Sequence, residues 1–364
     1  MVQVIRVVSG LLFIISGLVK ANDPAGLSYK MQEFFEAWGW TALHDYTLVL
    51  SITMNLFEVV AGVALLVGWR FRIISWLLLL LMVAFTFLTA YAVFSGKIKT
   101  CGCFGDCLPL TAMSSFIKDV VLLIFILILL WRWRDVKPLW RKNLATVIVV
   151  VSGVLTMALQ LYVLKYLPVV DCLPYKKGNN ILQQMQPPPG AVPDSFAISF
   201  KYKKDGKILE FGAEDFPEDF DETYEYVDRY DKLVRKGTGK PAITDFYLAT
   251  QGSTDTTKAL LSGDDYYVLV IAKDMSTIND WAKVYMQVAD VARQQQIPVY
   301  IVTSTPGDAR RYFDDSIILT SDAVVLKTAA RVNSTFFLMK GARVIEKVSY
   351  ASPHRLTRQI QALR

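Results

Sequence analysis

The stretch Ile73-Ile-Ser-Trp-Leu-Leu-Leu-Leu-Leu-Met-Val-Ala-Phe-Thr-Phe-Leu-Thr-Ala-Tyr-Ala-Val-Phe94 runs for 22 residues without one charged side chain. As a helix it is about 30 Å long, the thickness of the hydrocarbon layer of a bilayer. Working outward, four more stretches have the same character: Val2 to Val19, Tyr46 to Trp69, Phe116 to Trp131 and Leu144 to Leu164. Five consecutive apolar runs cannot all be buried core helices of a chain this size, and five crossings put the two termini on opposite sides. A signal peptide at Val2 to Val19 is not expected, because the basic start is weak (Arg6) and no small-x-small cleavage site precedes Lys20.

The charges support this division. Met1 to Lys165 carries 14 Lys+Arg against 8 Asp+Glu, and the remainder carries 25 against 25, so the formal net charge of +6 belongs to the apolar half. Basic residues scattered between membrane runs are topology signals, and they exclude a nucleic-acid-binding reading of the pI near 8.9. Arg70 and Arg72 in the second loop, and Arg132, Arg134, Lys137, Arg141 and Lys142 in the fourth, place both loops in the cytoplasm. The N-terminus is then cytoplasmic, while loops one and three and everything after Leu164 face outward.

Glu58 lies inside the second run, where an ionised carboxylate must be paired or protonated. It reads as either a structural hydrogen-bonder or a proton- or quinone-site group, with Lys20 or Lys118 as counter-charge. Ser9 and Ser16, and Gly10 and Gly17, recur at seven-residue spacing and give the first helix a small-residue side that another helix can approach. Asp23 to Trp38 reads as an amphipathic helix on the outer interface, capped by Asp23, with Leu27, Met31, Phe34, Phe35 and Trp38 on one face.

The four cysteines, Cys101, Cys103, Cys107 and Cys172, all fall on the outward side. In an oxidising compartment such a set points to disulfide or redox chemistry. Zinc is the competing reading, but C-x-C-x3-C with one distant Cys is poor ligand spacing and His44 and His354 are remote, so no metal site is expected. A bridge across Cys101-Gly-Cys103 closes a small strained ring suited to exchange. Cys107 and Cys172 suit a bridge that ties the third loop to the start of the outer region.

Ser16-Gly-Leu-Val-Lys-Ala-Asn-Asp-Pro24, Glu58 with its following glycines, and Cys101-Gly-Cys-Phe-Gly105 resemble the DoxX and MauE group of small membrane proteins over Met1 to Trp131. The C-G-C-F-G element resembles the MauE side, which is associated with thiol redox and disulfide formation in periplasmic enzymes. Pro174-Tyr-Lys-Lys-Gly-Asn-Asn-Ile181 resembles longer members of the group in Bacteroidota, which add an outward domain. In those the positions of Cys107 and Cys172 are usually not cysteine. The resemblance therefore implies that these two bond to each other and leave Cys101 and Cys103 as the exchanging pair, with a four-thiol relay as the other arrangement.

Beyond the stiff spacer Gln186-Pro-Pro-Pro-Gly190 the chain becomes soluble in character. Ser195 to Phe211 alternates around Lys204-Asp-Gly206 and predicts a hairpin. The acidic, aromatic Asp215 to Tyr230 reads as a solvated connecting segment, with a surface for a basic partner as the alternative. From Lys240 to Arg364 two buried strands flanking the helix Asn279 to Arg293, then a hairpin at Lys340-Gly-Ala and a closing helix, resemble the thioredoxin-like fold. Where that fold carries C-x-x-C this chain reads Lys273-Asp-Met-Ser-Thr-Ile-Asn-Asp280, and Ser334 takes the place of the cis-proline. Without a thiolate the domain cannot exchange disulfides by itself. A groove at Met275, Asn279 and Ser334 would bind an extended peptide or dock on the membrane part.

The expected architecture is an α-helical membrane bundle over 1–165, a linker and hairpin region over 166–239, and a periplasmic α/β thioredoxin-like domain over 240–364. The expected function is thiol-disulfide chemistry or maturation of exported proteins at the bacterial inner membrane. Partners would be exported proteins and possible thioredoxin-like proteins, with the lipid bilayer around the bundle and a quinone as candidate electron carrier. No G-x-G-x-x-G, P-loop or haem signature supplies a cofactor site. The alternative is a non-enzymatic membrane scaffold whose degenerate outer domain binds a periplasmic partner.

Overall fold

A computed structural model describes residues 1–96, 98, 102, 105–108, 110–192, 195–204, 207–212, 216–217, 220–221, 223–235, 237, 239, 241–250 and 254–363. Among the described residues five helices are long and apolar enough to cross a membrane: Val2–Ala21, Thr41–Val67, Phe71–Ser95, Ala112–Trp131 and Lys142–Tyr166. The protein is accordingly a membrane protein. In chain order the helices of this part are α1 (Val2–Ala21), α2 (Pro24–Ala37), α3 (Thr47–Val67, behind a short 3-10 turn), α4 (Phe71–Ser95), α5 (Ala112–Trp131) and α6 (Lys142–Tyr166).

Local chemistry sets the ends of these helices. Asp23 caps α2, its carboxylate accepting from Gly26 N at 2.9 Å, with Pro24 in the first turn. Thr111 caps α5 through Ser114 N at 3.2 Å. Gly68, at φ +76°, stops α3 in the left-handed conformation that only glycine adopts without cost. The bundle core holds Phe13, Leu65, Leu78, Met82, Ile126 and Leu129, each at most 3% exposed.

The chain falls into two compact units. One comprises Met1–Gly178 with Tyr247–Arg364, and the other Asn179–Phe246. These bounds differ from the segments expected at 165/166 and 239/240, because residues 166–178 make their contacts with the first unit. Gly178 N, for example, donates to Val344 O at 2.8 Å.

The smaller unit contains α7 (Ile181–Gln184) and a sheet of β1 (Ser195–Lys204), β2 (Lys207–Gly212) and β3 (Glu225–Arg235), in the order β2-β1-β3, all antiparallel. The β1–β2 pair closes at Lys204↔Lys207, at the anticipated turn. The segment expected to be connecting supplies β3 instead. Its aromatic residues are the reason: Phe216, Phe220, Tyr224 and Tyr226 cluster around Tyr202, with ring centroids 4.8 to 6.5 Å away.

The C-terminal part of the larger unit runs α8 (Thr257–Ser262), β4 (Tyr266–Ile271), α9 (Ile278–Gln294), β5 (Val299–Thr303), α10 (Pro306–Ala309), β6 (Ile318–Thr320), α11 (Ala323–Ala329), β7 (Thr335–Lys340), β8 (Arg343–Ser349) and α12 (His354–Ala362). Among the described residues the sheet order is β6-β5-β4-β7-β8, with β4, β5 and β6 parallel and β7 and β8 antiparallel to their neighbours. Both faces of β4 are covered, which is why it reads as an unbroken apolar run. Val270, Ile301, Phe336, Leu338 and Trp281 form the core, and Trp281 stacks on Phe313 at 5.9 Å.

Candidate functional site

The turn between α4 and α5 bears three of the four cysteines. Cys101 and Cys103 lie outside the described residues. Gly105 N donates to Gly102 O at 3.0 Å, and Gly102 and Gly105 have positive φ, +70° and +56°, which glycine adopts without strain. The sulfurs of Cys107 and Cys172 stand at bonding distance, S–S 1.95 Å with the Cα atoms 4.9 Å apart. This fastens the turn to the segment leaving α6.

Asp106, next to Cys107, is held by Arg331. The guanidinium donates to Asp106 Oδ2, to Asp23 Oδ2 at 2.7 Å and to Lys327 O at 2.8 Å. Arg331 is 8% exposed. Burial works against its charge, but the Asp23 and Asp106 carboxylates outweigh that and raise its pKa. Tyr29 of α2 lies beneath it, with Lys273, Lys327 and Arg331 all 5.4 to 5.7 Å from the ring centroid. The Lys273 ammonium donates to Tyr29 Oη at 3.0 Å and to Arg331 O at 2.9 Å. Burial, reinforced by the Arg331 cation, pushes Lys273 down to about 7 against the pull of Asp23. Burial likewise raises the Tyr29 hydroxyl. A second tie joins Lys347 to Asp171 at 2.7 Å, beside Cys172. Burial lowers the Lys347 pKa, with Asp171 opposing.

The three residues of the expected groove, Met275, Asn279 and Ser334, differ in access, and Met275 is among those that line a cleft of about 320 Å³ with Lys273, Asp274, Thr305 and Arg311. Met275 is 4% and Ser334 0% exposed, and of the three only Asn279 reaches solvent. Asn333 joins the two loops: its side chain accepts from Lys273 N at 2.8 Å and donates to Asp274 O at 2.7 Å and Thr277 Oγ1 at 2.6 Å. The Asn333–Ser334 peptide is cis.

Within the bundle Lys20 and Glu58 are 2% and 0% exposed, and Lys20 Nζ donates to Glu58 Oε1. Glu58 Oε2 has no hydrogen-bond partner among the described residues. Lys118, the other candidate counter-charge, lines the same small pocket and lies 2.7 Å from Asp119 Oδ1, an ion pair without hydrogen-bond alignment. Sequence reasoning passed over Asp119, Arg6, Asn55 and Gln160, all buried. Asn55 donates to Gln160 at 3.2 Å, and Arg6 Nε to Leu65 O at 2.9 Å. The available signal was a polar residue inside an apolar run, read at Glu58 and not at these.

A quinone does not fit beside Lys20 as folded. The apolar cleft there, between Leu27, Met31 and Phe34 of α2 and Phe85 of α4, has about 50 Å³, whereas small-molecule pockets run from roughly 300 Å³ upward.

Residues 1–132 match the family described as Methylamine utilisation protein MauE, a stretch that takes in α1 to α5 and the cysteine-bearing turn. Residues 196–236 match the Domain of unknown function (DUF8463), which covers the sheet of the smaller unit. No curated protein and no solved structure matches the chain.

Proposed function

We propose that this is a MauE-type protein of the bacterial inner membrane that exchanges disulfides with exported proteins through Cys101 and Cys103. The observation that carries this reading is the pairing of Cys107 with Cys172, since a cysteine pair joined between two segments fits an oxidising compartment. The match of residues 1–132 supports the MauE-type part of the reading, and the basic second and fourth loops support the orientation. In one direction, the thiolate of one turn cysteine attacks a partner disulfide, forms a mixed disulfide and releases one partner thiolate. The second turn cysteine then attacks the first, releases the other partner thiolate and leaves Cys101–Cys103 oxidised. The reverse sequence oxidises the partner.

The C-terminal part is, in this reading, a thioredoxin-like module. Support comes from three parallel strands followed by an antiparallel pair, while the lack of cysteine after Cys172 departs from the active members of that fold. Its role would be to hold the turn, with Arg331 on Asp106. The loops closed by Asn333 favour a second reading, a non-enzymatic scaffold.

One experiment separates the two. A Cys103→Ala variant accumulates mixed disulfides through Cys101, seen as reductant-sensitive adducts on non-reducing gels. Their absence, with the protein inserted at normal levels, overturns exchange and leaves the scaffold.

A further inference from the structure

Where α6 ends, a cleft of about 680 Å³ opens between the last turn of that helix, the segment after it, β8 and the start of α12. Its volume is in the range of small-molecule sites. Four cations line it, Lys176, Lys177, Lys347 and Arg355, with Asp171 as the carboxylate among the lining residues. Two of the cations are neutralised: Lys347 by Asp171 at 2.7 Å and Lys177 by Glu346 at 2.6 Å. Lys176 and Arg355 are exposed, and their side chains have neither ion pair nor hydrogen bond among the described residues. The cleft therefore carries a positive charge that its own carboxylates do not cancel.

Tyr162 and Tyr166 form the wall on the helix side, stacked at 4.9 Å. Tyrosines in the last turn of a membrane span sit at headgroup depth. One turn and two turns below Tyr162 the same face of α6 presents Ala158 and Leu155, and Leu155 is 64% and Tyr162 51% exposed. An apolar stripe that faces hydrocarbon thus leads directly into a cationic cleft at the water boundary. A free solute has no use for the stripe, and an anionic amphiphile uses both.

We infer that this cleft binds the phosphate headgroup of an anionic phospholipid whose acyl chain lies along the Leu155–Tyr162 face of α6. The inference does not depend on disulfide exchange or on which way the bundle faces. It is tested with the full chain in nonionic detergent, titrated with dioleoylphosphatidylglycerol, dioleoylphosphatidylcholine or inorganic phosphate and read by native mass spectrometry.

The wild-type chain retains phosphatidylglycerol in preference to phosphatidylcholine. Lys176→Glu/Arg355→Glu weakens that binding by about thirtyfold or more, at roughly a factor of five for each basic residue near a membrane surface. Lys258→Glu, outside the cleft, leaves it unchanged. Because neither substituted side chain has a partner among the described residues, the lipid-free thermal midpoint stays the same. Equal retention of the two lipids, or phosphatidylglycerol binding that the double variant keeps, overturns the inference. Phosphate binding that the double variant loses, without lipid preference, assigns the cleft to free phosphate and overturns the lipid.

Discussion

Two lysines, Lys20 and Lys273, show how burial and charge are balanced differently in the bundle and above it. Lys20 and Glu58 answer each other in a buried site, where loss of either partner would strand a charge at a cost of about 3–5 kcal/mol. Lys273 has no carboxylate of its own; it rests on the Tyr29 hydroxyl and a backbone carbonyl and shares its surroundings with Arg331 and Lys327. Its pKa in the folded protein is about 7, below the ordinary 10.5. Between those values the unfolded chain holds a proton that the folded chain has released, so stability rises with pH across that window and is flat below it. Thermal midpoints measured from about pH 7 upward are expected to climb more steeply in the wild type than in Lys273→Met. Parallel profiles for the two proteins would mean that Lys273 keeps its proton on folding.

At the scale of elements, the close approach of α1 and α3 has a sequence cause. A Cβ on Gly62 would lie 2.9 Å from Gly10 O and 3.0 Å from Ile14 N, both backbone atoms that cannot give way. Gly62→Ala is expected to cost about 1–3 kcal/mol, as overpacking does, in detergent unfolding titrations. Gly153→Ala on α6 meets side chains alone, Val60 at 3.3 Å and Leu56 at 3.9 Å, and is expected to cost less; equal losses would place the strain elsewhere. The spans and this small-residue side were legible because hydropathy and seven-residue spacing are local signals. For α2 only half was legible. Its cap and its apolar face, which packs Trp38 on Tyr91 at 5.4 Å and on Phe87 at 6.2 Å, follow from periodicity. Its other face, with Tyr29 under three cations and Gln32 beside Lys327, meets residues about 300 positions away and leaves no periodic trace. Strand β6 escaped for a different reason, since three residues are too few to show a period.

Across the whole molecule, the ties that join the C-terminal part, the segment after α6 and the cysteine-bearing end of the bundle are long-range. Arg331 reaches Asp23 across 308 positions, Lys347 reaches Asp171 across 176, and Cys107 faces Cys172 across 65. The cysteine pairing could be argued from the sequence because sulfur is scarce and its chemistry narrow. The carboxylate partners of Arg331 could not, since nothing local distinguishes Asp23 and Asp106 from other acidic residues. Together these ties require the cysteine turn and the C-terminal part to share one side of the membrane, and the proposed reading puts that side outside, on the strength of the basic second and fourth loops. In spheroplasts of a strain carrying the chain with Cys101 and Cys103 changed to Ser, a membrane-impermeant maleimide is therefore expected to label Met286→Cys and not Leu139→Cys. Met286 lies on the exposed face of α9 and Leu139 in the loop between α5 and α6, at 63% and 62% exposure, so access to the compartment and not burial decides the result. Labelling at Leu139→Cys alone would turn the bundle over, bring the four cysteines into a reducing compartment, and remove the basis for disulfide exchange at the turn.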